Sequence, residues 1–289
     1  MPKKRIIGCL LTMDGHVVQS IGFKRFLPVG RAEVAVRFLD EWGVDEIILL
    51  DMAARSRGEL IDVEMVTRCA TRCHVPLGVG GGITGTQDVR DLVRAGADKV
   101  LINDLSFQDA SAVRDIVANF GSQCFVGAMD VRHSITSTAV RRNRGLDAWG
   151  DKPLEWARYL TELGAGELLI NSIDHDGQGQ GYDLALVGEI ADASPIPVIA
   201  LGGVGHPDHV RQLFTQTRAG AAAIGNMLHY TEHSIALLKS ALVNTELDIR
   251  LESQADYTHL AQTSAGRVSR REEADLVDEV FTFLPPEVI

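Results

Sequence analysis

From residue 5 onward the chain repeats a two-part pattern. A short run rich in Ile, Val and Leu is followed by a longer stretch with apolar residues at three- and four-residue steps. The short runs, at 5–11, 46–51, 77–79, 99–102, 124–129, 167–171, 198–201 and 221–224, read as buried strands. The stretches between them, such as AEVAVRFLDEWG, TQDVRDLVRAGA, PLEWARYLTELGAG and HPDHVRQLFTQT, read as amphipathic helices. Eight strand–helix units in roughly 245 residues predict a closed (β/α)8 TIM barrel over residues 1–250, with 251–289 as an extension packed on it.

The pattern also repeats at the scale of half the chain. DEIILLD is echoed by GELLINSID, VGGGI by LGGVG, and RAGADKVLIN by RAGAAAIGN. Asp51 and Asp174, Gly80 and Gly202, and Asn103 and Asn226 stand 123, 122 and 123 positions apart, so two homologous four-unit half-barrels are expected. A similar shift of 119 sets Asp130 opposite Leu11, a carboxylate opposite a hydrocarbon. Glycines follow the third strand (Gly80, Gly81, Gly82) and the seventh (Gly202, Gly203), where bare backbone lets N–H groups approach a phosphate. Tight strand-to-helix turns also need glycine; recurrence at equivalent places favours a ligand with a phosphate at each end.

A formal charge of -11 at pH 7 opposes an extended phosphate-backbone surface, so no nucleic-acid partner is expected, although Lys24 and Arg25 could hold a small anion. No apolar run reaches membrane-helix length and the first is too short for a signal peptide, which predicts a cytoplasmic protein. Cys9, Cys69, Cys73 and Cys124 read as free buried thiols rather than a zinc set. His229 and His233 have a helical i, i+4 spacing without the His-Glu-x-x-His order or a third ligand, so no metal is expected. The glycine turns lack the Rossmann spacing, and no cofactor is expected.

Taken together, RIIGCL, GVDEIILLD, VGGGI, GADKVLIN, FGSQ, SIDHDGQGQGYD and GGVG resemble the cyclase subunit family of imidazole glycerol phosphate synthase across roughly 5–251. The resemblance implies a barrel that receives ammonia from a glutaminase subunit at its N-terminal face. At the opposite face it implies splitting and cyclisation of a bis-phosphorylated ribonucleotide by two aspartates. Arg5, Glu46, Lys99 and Glu167 match the family's ring of charges at the ammonia entrance, and Asp98 its glutaminase contact. These four also begin their strands, so a buried ring of two acids and two bases is expected from position alone, serving as a gate or as an ordinary salt-bridged plug. Asp130 matches one catalytic aspartate. Asp176, Gly177, Gly203, Gly225 and Asn226 match one phosphate site, with Gly202, Gly81, Gly82 and Asn103 as further ligand-binding candidates.

Leu11, however, stands in place of the second catalytic aspartate, Gln19 in place of a lysine, and Asp104 in place of a phosphate-binding threonine. Leucine moves no proton, and a carboxylate repels phosphate. CLL in the first strand, HYTEHSIALLKSALVNTELDIRLESQADY and the ending FTFLPPEVI look like a narrower branch associated with glycosyl amidation in surface-polysaccharide (O-antigen) clusters. That likeness implies delivery of ammonia, with a glutaminase and an ATP-dependent sugar amidotransferase, to turn an N-acetyl group into an acetamidino group. It leaves room for a small phosphorylated or nucleotide-sugar ligand. The competing expectations are a histidine-pathway cyclase, with Asp14 supplying the missing acid, and a non-catalytic assembly platform.

Overall fold

A computed structural model describes residues 3–134, 137–143, 145–150, 152–243, 245 and 247–251. The twelve strands among the described residues are β1 (Arg5–Met13), β2 (His16–Ile21), β3 (Arg25–Gly30), β4 (Glu46–Asp51), β5 (Leu77–Gly80), β6 (Lys99–Ile102), β7 (Phe125–His133), β8 (Thr138–Arg142), β9 (Asp147–Gly150), β10 (Glu167–Ser172), β11 (Val198–Leu201) and β12 (Ala221–Ile224). Eight of them run parallel in the order β10, β11, β12, β1, β4, β5, β6, β7, and pairing of β7 with β10 closes the ring. Helices between the strands complete a (β/α)8 barrel, as the alternation predicts.

Alternation along the strands sorts side chains into two layers. In β1, Ile6 and Leu10 join the cluster between strands and helices, whereas Ile7, Cys9 and Leu11 join a separate cluster inside the barrel with Ile48, Leu101, Val126, Ala128 and Leu169. This inner cluster is small and wholly apolar, and it separates the two ends of the barrel. The extension at 251–289 lies outside the described residues apart from Leu251.

The strand positions match the periodicity, but β1 and β7 run further than expected, to Met13 and His133. Each continues into an antiparallel hairpin above the barrel, β2–β3 after β1 and β8–β9 after β7. Pro28 within β3 and the exposed faces of β3 and β9 break the buried-strand pattern, which is why composition alone reads these stretches as loop.

Candidate functional site

At the N-terminal end of the strands, four charged side chains close the barrel. The Arg5 guanidinium donates to Glu46 Oε2 at 2.8 Å and to Glu167 at 3.2 and 2.7 Å. The Lys99 ammonium donates to both oxygens of Glu46, at 3.0 and 2.9 Å, and to Glu167 Oε1 at 3.0 Å. Each acid therefore touches both bases, and no member of the ring is left uncompensated, the condition for burying charge. Burial lifts the Glu46 carboxyl above the ordinary range. Burial acts on Glu167 as well, but hydrogen bonds and charge from Arg5 and Lys99 outweigh it and hold that carboxyl below the range. Asp98, exposed beside Lys99, accepts from the Leu77 N–H at 2.8 Å and so fixes the start of β5.

At the opposite end the strands open into a pocket. Its floor includes Cys9, Leu11, Ala128 and Asp130, and its rim includes the Gly81–Gly82 and Gly202–Gly203 turns. Positive φ angles at Gly82 and Gly203 favour glycine, and a Cβ there would meet Glu59 O at 1.8 Å and Gly181 O at 2.1 Å. Close backbone approach thus accounts for these two glycines. Gly177, Gly225 and Asn226 lie on the same rim.

Asp130 is held from two sides: Asn103 Nδ2 donates to Oδ2 and Asn171 Nδ2 to Oδ1, each at 2.8 Å. Burial pushes its pKa up to about 6, with the charges of Asp104 and Asp176 adding to the rise and the two amides opposing it. A carboxyl tuned toward neutrality can give or take a proton near physiological pH. Leu11 faces the same pocket from β1, paired with Leu50 of β4, and supplies neither function.

Two other acids sit near Leu11 without replacing the missing group. Asp14 lies on the hairpin turn, 79% exposed as a side chain and 3.3 Å from Arg57, and does not line the pocket, so the expectation that it stands in for an acid at position 11 is corrected. Asp51 accepts from the Ala53 and Ala54 N–H groups and from Arg57 at 2.7 Å, and is fully engaged.

The phosphate-site candidates come together on the rim, but two of their side chains are already occupied. Asp176 Oδ2 accepts from Ser20 Oγ at 2.6 Å and from the Phe23 N–H at 3.3 Å. The Asn226 amide makes a reciprocal pair with the Ser20 backbone at 3.1 and 2.6 Å. Sequence reasoning missed Asn171, Ser20, Phe23 and Arg55 in this site. Asn171 could have been found from the half-chain repeat, since it pairs with Asp130 as Leu50 pairs with Leu11. Arg55 sits in a four-residue helix with no pattern of its own. Among the described residues no three potential metal ligands cluster, and no helix is long and apolar enough to cross a membrane.

A family model described as histidine biosynthesis protein matches residues 5–234. The chain belongs to that family. Within it, the chain is similar to imidazole glycerol phosphate synthase subunits HisF from Bacillus cereus strains Q1, ATCC 10987 / NRS 248 and AH187. Each is 38% identical over 257 residues, covering 87% of this chain and 100% of the relative. The chain is therefore a HisF-like family member, and this relation favours the histidine-pathway expectation over the sugar-amidation one.

Proposed function

We propose that this chain is the ammonia-receiving barrel of a glutamine-dependent synthase. A glutaminase docks at the N-terminal face near Asp98, ammonia passes the ring of Arg5, Glu46, Lys99 and Glu167, and an acceptor in the upper pocket consumes it. The observation that carries this reading is the continuity of three parts: a closed charged ring, an apolar interior, and a pocket floored by Asp130. An apolar interior keeps ammonia from being protonated on the way, because an ammonium ion there would be desolvated without a partner. Reconstitution with a glutaminase tests it. Arg5→Ala should impair the glutamine-driven reaction and spare the reaction driven by ammonium salts; equal rates from both sources in the variant and the wild type would refute conduction and leave an assembly platform.

The relatives' names favour imidazole glycerol phosphate formation as the reaction, and Asp130, buried on the pocket floor between two amides, is the group suited to move its proton. A second reading, ammonia delivery for amidation of an N-acetyl sugar by a partner enzyme, is favoured by Leu11, which leaves Asp130 without an acid–base counterpart. Positioned acid–base groups contribute about 10² to 10⁴ in rate, so the two readings separate sharply. Turnover of the bis-phosphorylated ribonucleotide with ammonium salts by the purified chain would support the first. A silent wild type together with activity in Leu11→Asp would support the second.

A further inference from the structure

The strand that carries Arg5 is held at its base by residues outside the charged ring. Asp45 stands one position below β4 and extends the β1–β4 ladder with its side chain: the Ile6 N–H donates to Asp45 Oδ2 at 2.7 Å, and the Asp45 N–H donates to Ile6 O at 3.0 Å. Ile6 follows Arg5 and Asp45 precedes Glu46, so this reciprocal pair lies directly beside two members of the ring.

Asp45 is held in turn from the helix Ser234–Val243, where the Lys239 ammonium donates to Asp45 Oδ1 at 2.7 Å and to Gly43 O at 2.6 Å. The two side chains are only 3% and 4% exposed. An ion pair so enclosed gains little beyond the cost of its own desolvation, so net stability is a weak reason for it. The other neighbour of Arg5 is fixed by the segment after the same helix, since the Lys4 N–H donates to Asp248 O at 2.9 Å.

The half-chain repeat separates this clamp from a general need of the barrel. Gly166 stands 121 positions after Asp45, as Glu167 does after Glu46, and its N–H donates to Phe125 O at 2.9 Å as the Asp45 N–H does to Ile6 O. The backbone rung is therefore common to both halves. Gly166 has no side chain to add the second rung, and the strand beside it is preceded by Cys124 where the first half has Arg5. Of the two equivalent places, the carboxylate clamp stands at the one whose strand brings a base to the ring.

We infer that Asp45 and Lys239 are positioning residues of the ammonia entrance, the Lys239–Asp45 ion pair fixing the base of β1 so that Arg5 stays bridged to Glu46 and Glu167. Without the lysine, the Asp45 carboxylate is buried with its counter-charge gone and is drawn toward solvent, releasing Ile6. The inference rests on the reading of the ring as that entrance.

Phenylglyoxal, which modifies accessible guanidinium groups, is the probe on the purified full chain, with labelling at each arginine read by mass spectrometry. Arg132, at the opposite end of the barrel and, like Arg5, 26% exposed as a side chain, is the internal control for general loosening. In Lys239→Met, labelling of Arg5 should rise at least about tenfold relative to Arg132, the weight of one hydrogen bond to a charged group. Asp45→Ala combined with Lys239→Met should do the same; it leaves neither charge of the pair buried alone, so a folding defect in the single variant does not remove the test. Labelling of Arg5 that stays at the wild-type level, or rises only in step with Arg132, would overturn the inference. In the complex with a glutaminase, the same variants should lower the ratio of glutamine-driven to ammonium-driven rate, and a freed Arg5 with an unchanged ratio would overturn it as well. A wild type that makes no use of glutamine would refute conduction alone, and the labelling would still decide whether the pair positions Arg5.

Discussion

Leu11 and Asp130 occupy the same place in the two halves of the barrel. Leu11 pairs with Leu50 on one side and with Val18 of the following hairpin on the other; Asp130 pairs with Asn171 and with Arg141 in the corresponding positions. Both side chains face the upper pocket. The change from carboxylate to leucine is matched by a change from asparagine to leucine at the neighbouring strand. A polar pair in one half is a hydrocarbon pair in the other.

Leu11→Asp should therefore fold at a cost that depends on pH. The new carboxyl would lie against Leu50 and Cys9 near Asp130, so its folded-state pKa would be raised. The penalty is absent when both states are protonated and grows as pH rises above the unfolded value of about 3.9. Urea unfolding should show the variant close to wild type near pH 4 and about 1–3 kcal/mol less stable at pH 8. A constant difference across that range would mean that the new side chain reaches solvent.

Asp130 carries the same dependence in the native chain. With a folded pKa of about 6 against 3.8 for a free carboxyl, wild type loses stability as pH rises through that interval, by up to about 3 kcal/mol. Asp130→Asn removes the dependence. It also leaves one of the two donating amides, Asn103 or Asn171, without an acceptor. The variant should be less stable than wild type at pH 4 and recover most of the difference by pH 8, as measured by denaturant midpoints.

Lys99→Met removes one of the two bases that bridge Glu46 and Glu167. Glu46 is nearly inaccessible, so the undercompensated charge should cost about 3–4 kcal/mol, the lower part of the range for broken buried pairs because Arg5 remains and is partly solvated. Lys99→Met combined with Glu46→Gln should recover part of that loss in thermal unfolding. No recovery would mean that the ring is held by packing and not by charge balance.

Gly203→Ala places a Cβ 2.1 Å from Gly181 O at a φ of 96° and should cost more than about 2 kcal/mol. Gly30→Ala, where nothing lies within 4 Å, should stay within about 0.5 kcal/mol of wild type. Melting temperatures of the pair test whether the glycine turns are required by the backbone before any ligand is considered.

The barrel was legible because its eight central strands bury both faces, so each appears as an uninterrupted apolar run. Glu46, Lys99 and Glu167 were legible as strand-first charges for the same reason, since each stands directly before a run of apolar residues. The β2–β3 and β8–β9 hairpins were not, because their outer positions, such as Leu27 and Trp149, are exposed and obey no core periodicity. The partners of Asp130 were only half visible. Asn103 comes directly after a recognisable strand end, whereas the role of Asn171 depends on register across β7 and β10. The engagement of Asp176 and Asn226 by Ser20 joins positions more than 150 residues apart and has no local signature.

The charged ring at the foot of the barrel breaks the likeness between the two halves. Glu46 and Glu167 begin corresponding strands of the two halves, but both bases, Arg5 and Lys99, come from the first half; the shift that sets Leu11 opposite Asp130 sets Arg5 opposite Cys124, and β12 begins with Ala221, so neither counterpart is charged. A symmetric dimer of the first half would gather four bases around two acids; a dimer of the second would gather two acids and no base. Electroneutrality at this point belongs only to a chain whose two halves differ, so the ring depends on the very asymmetry between them.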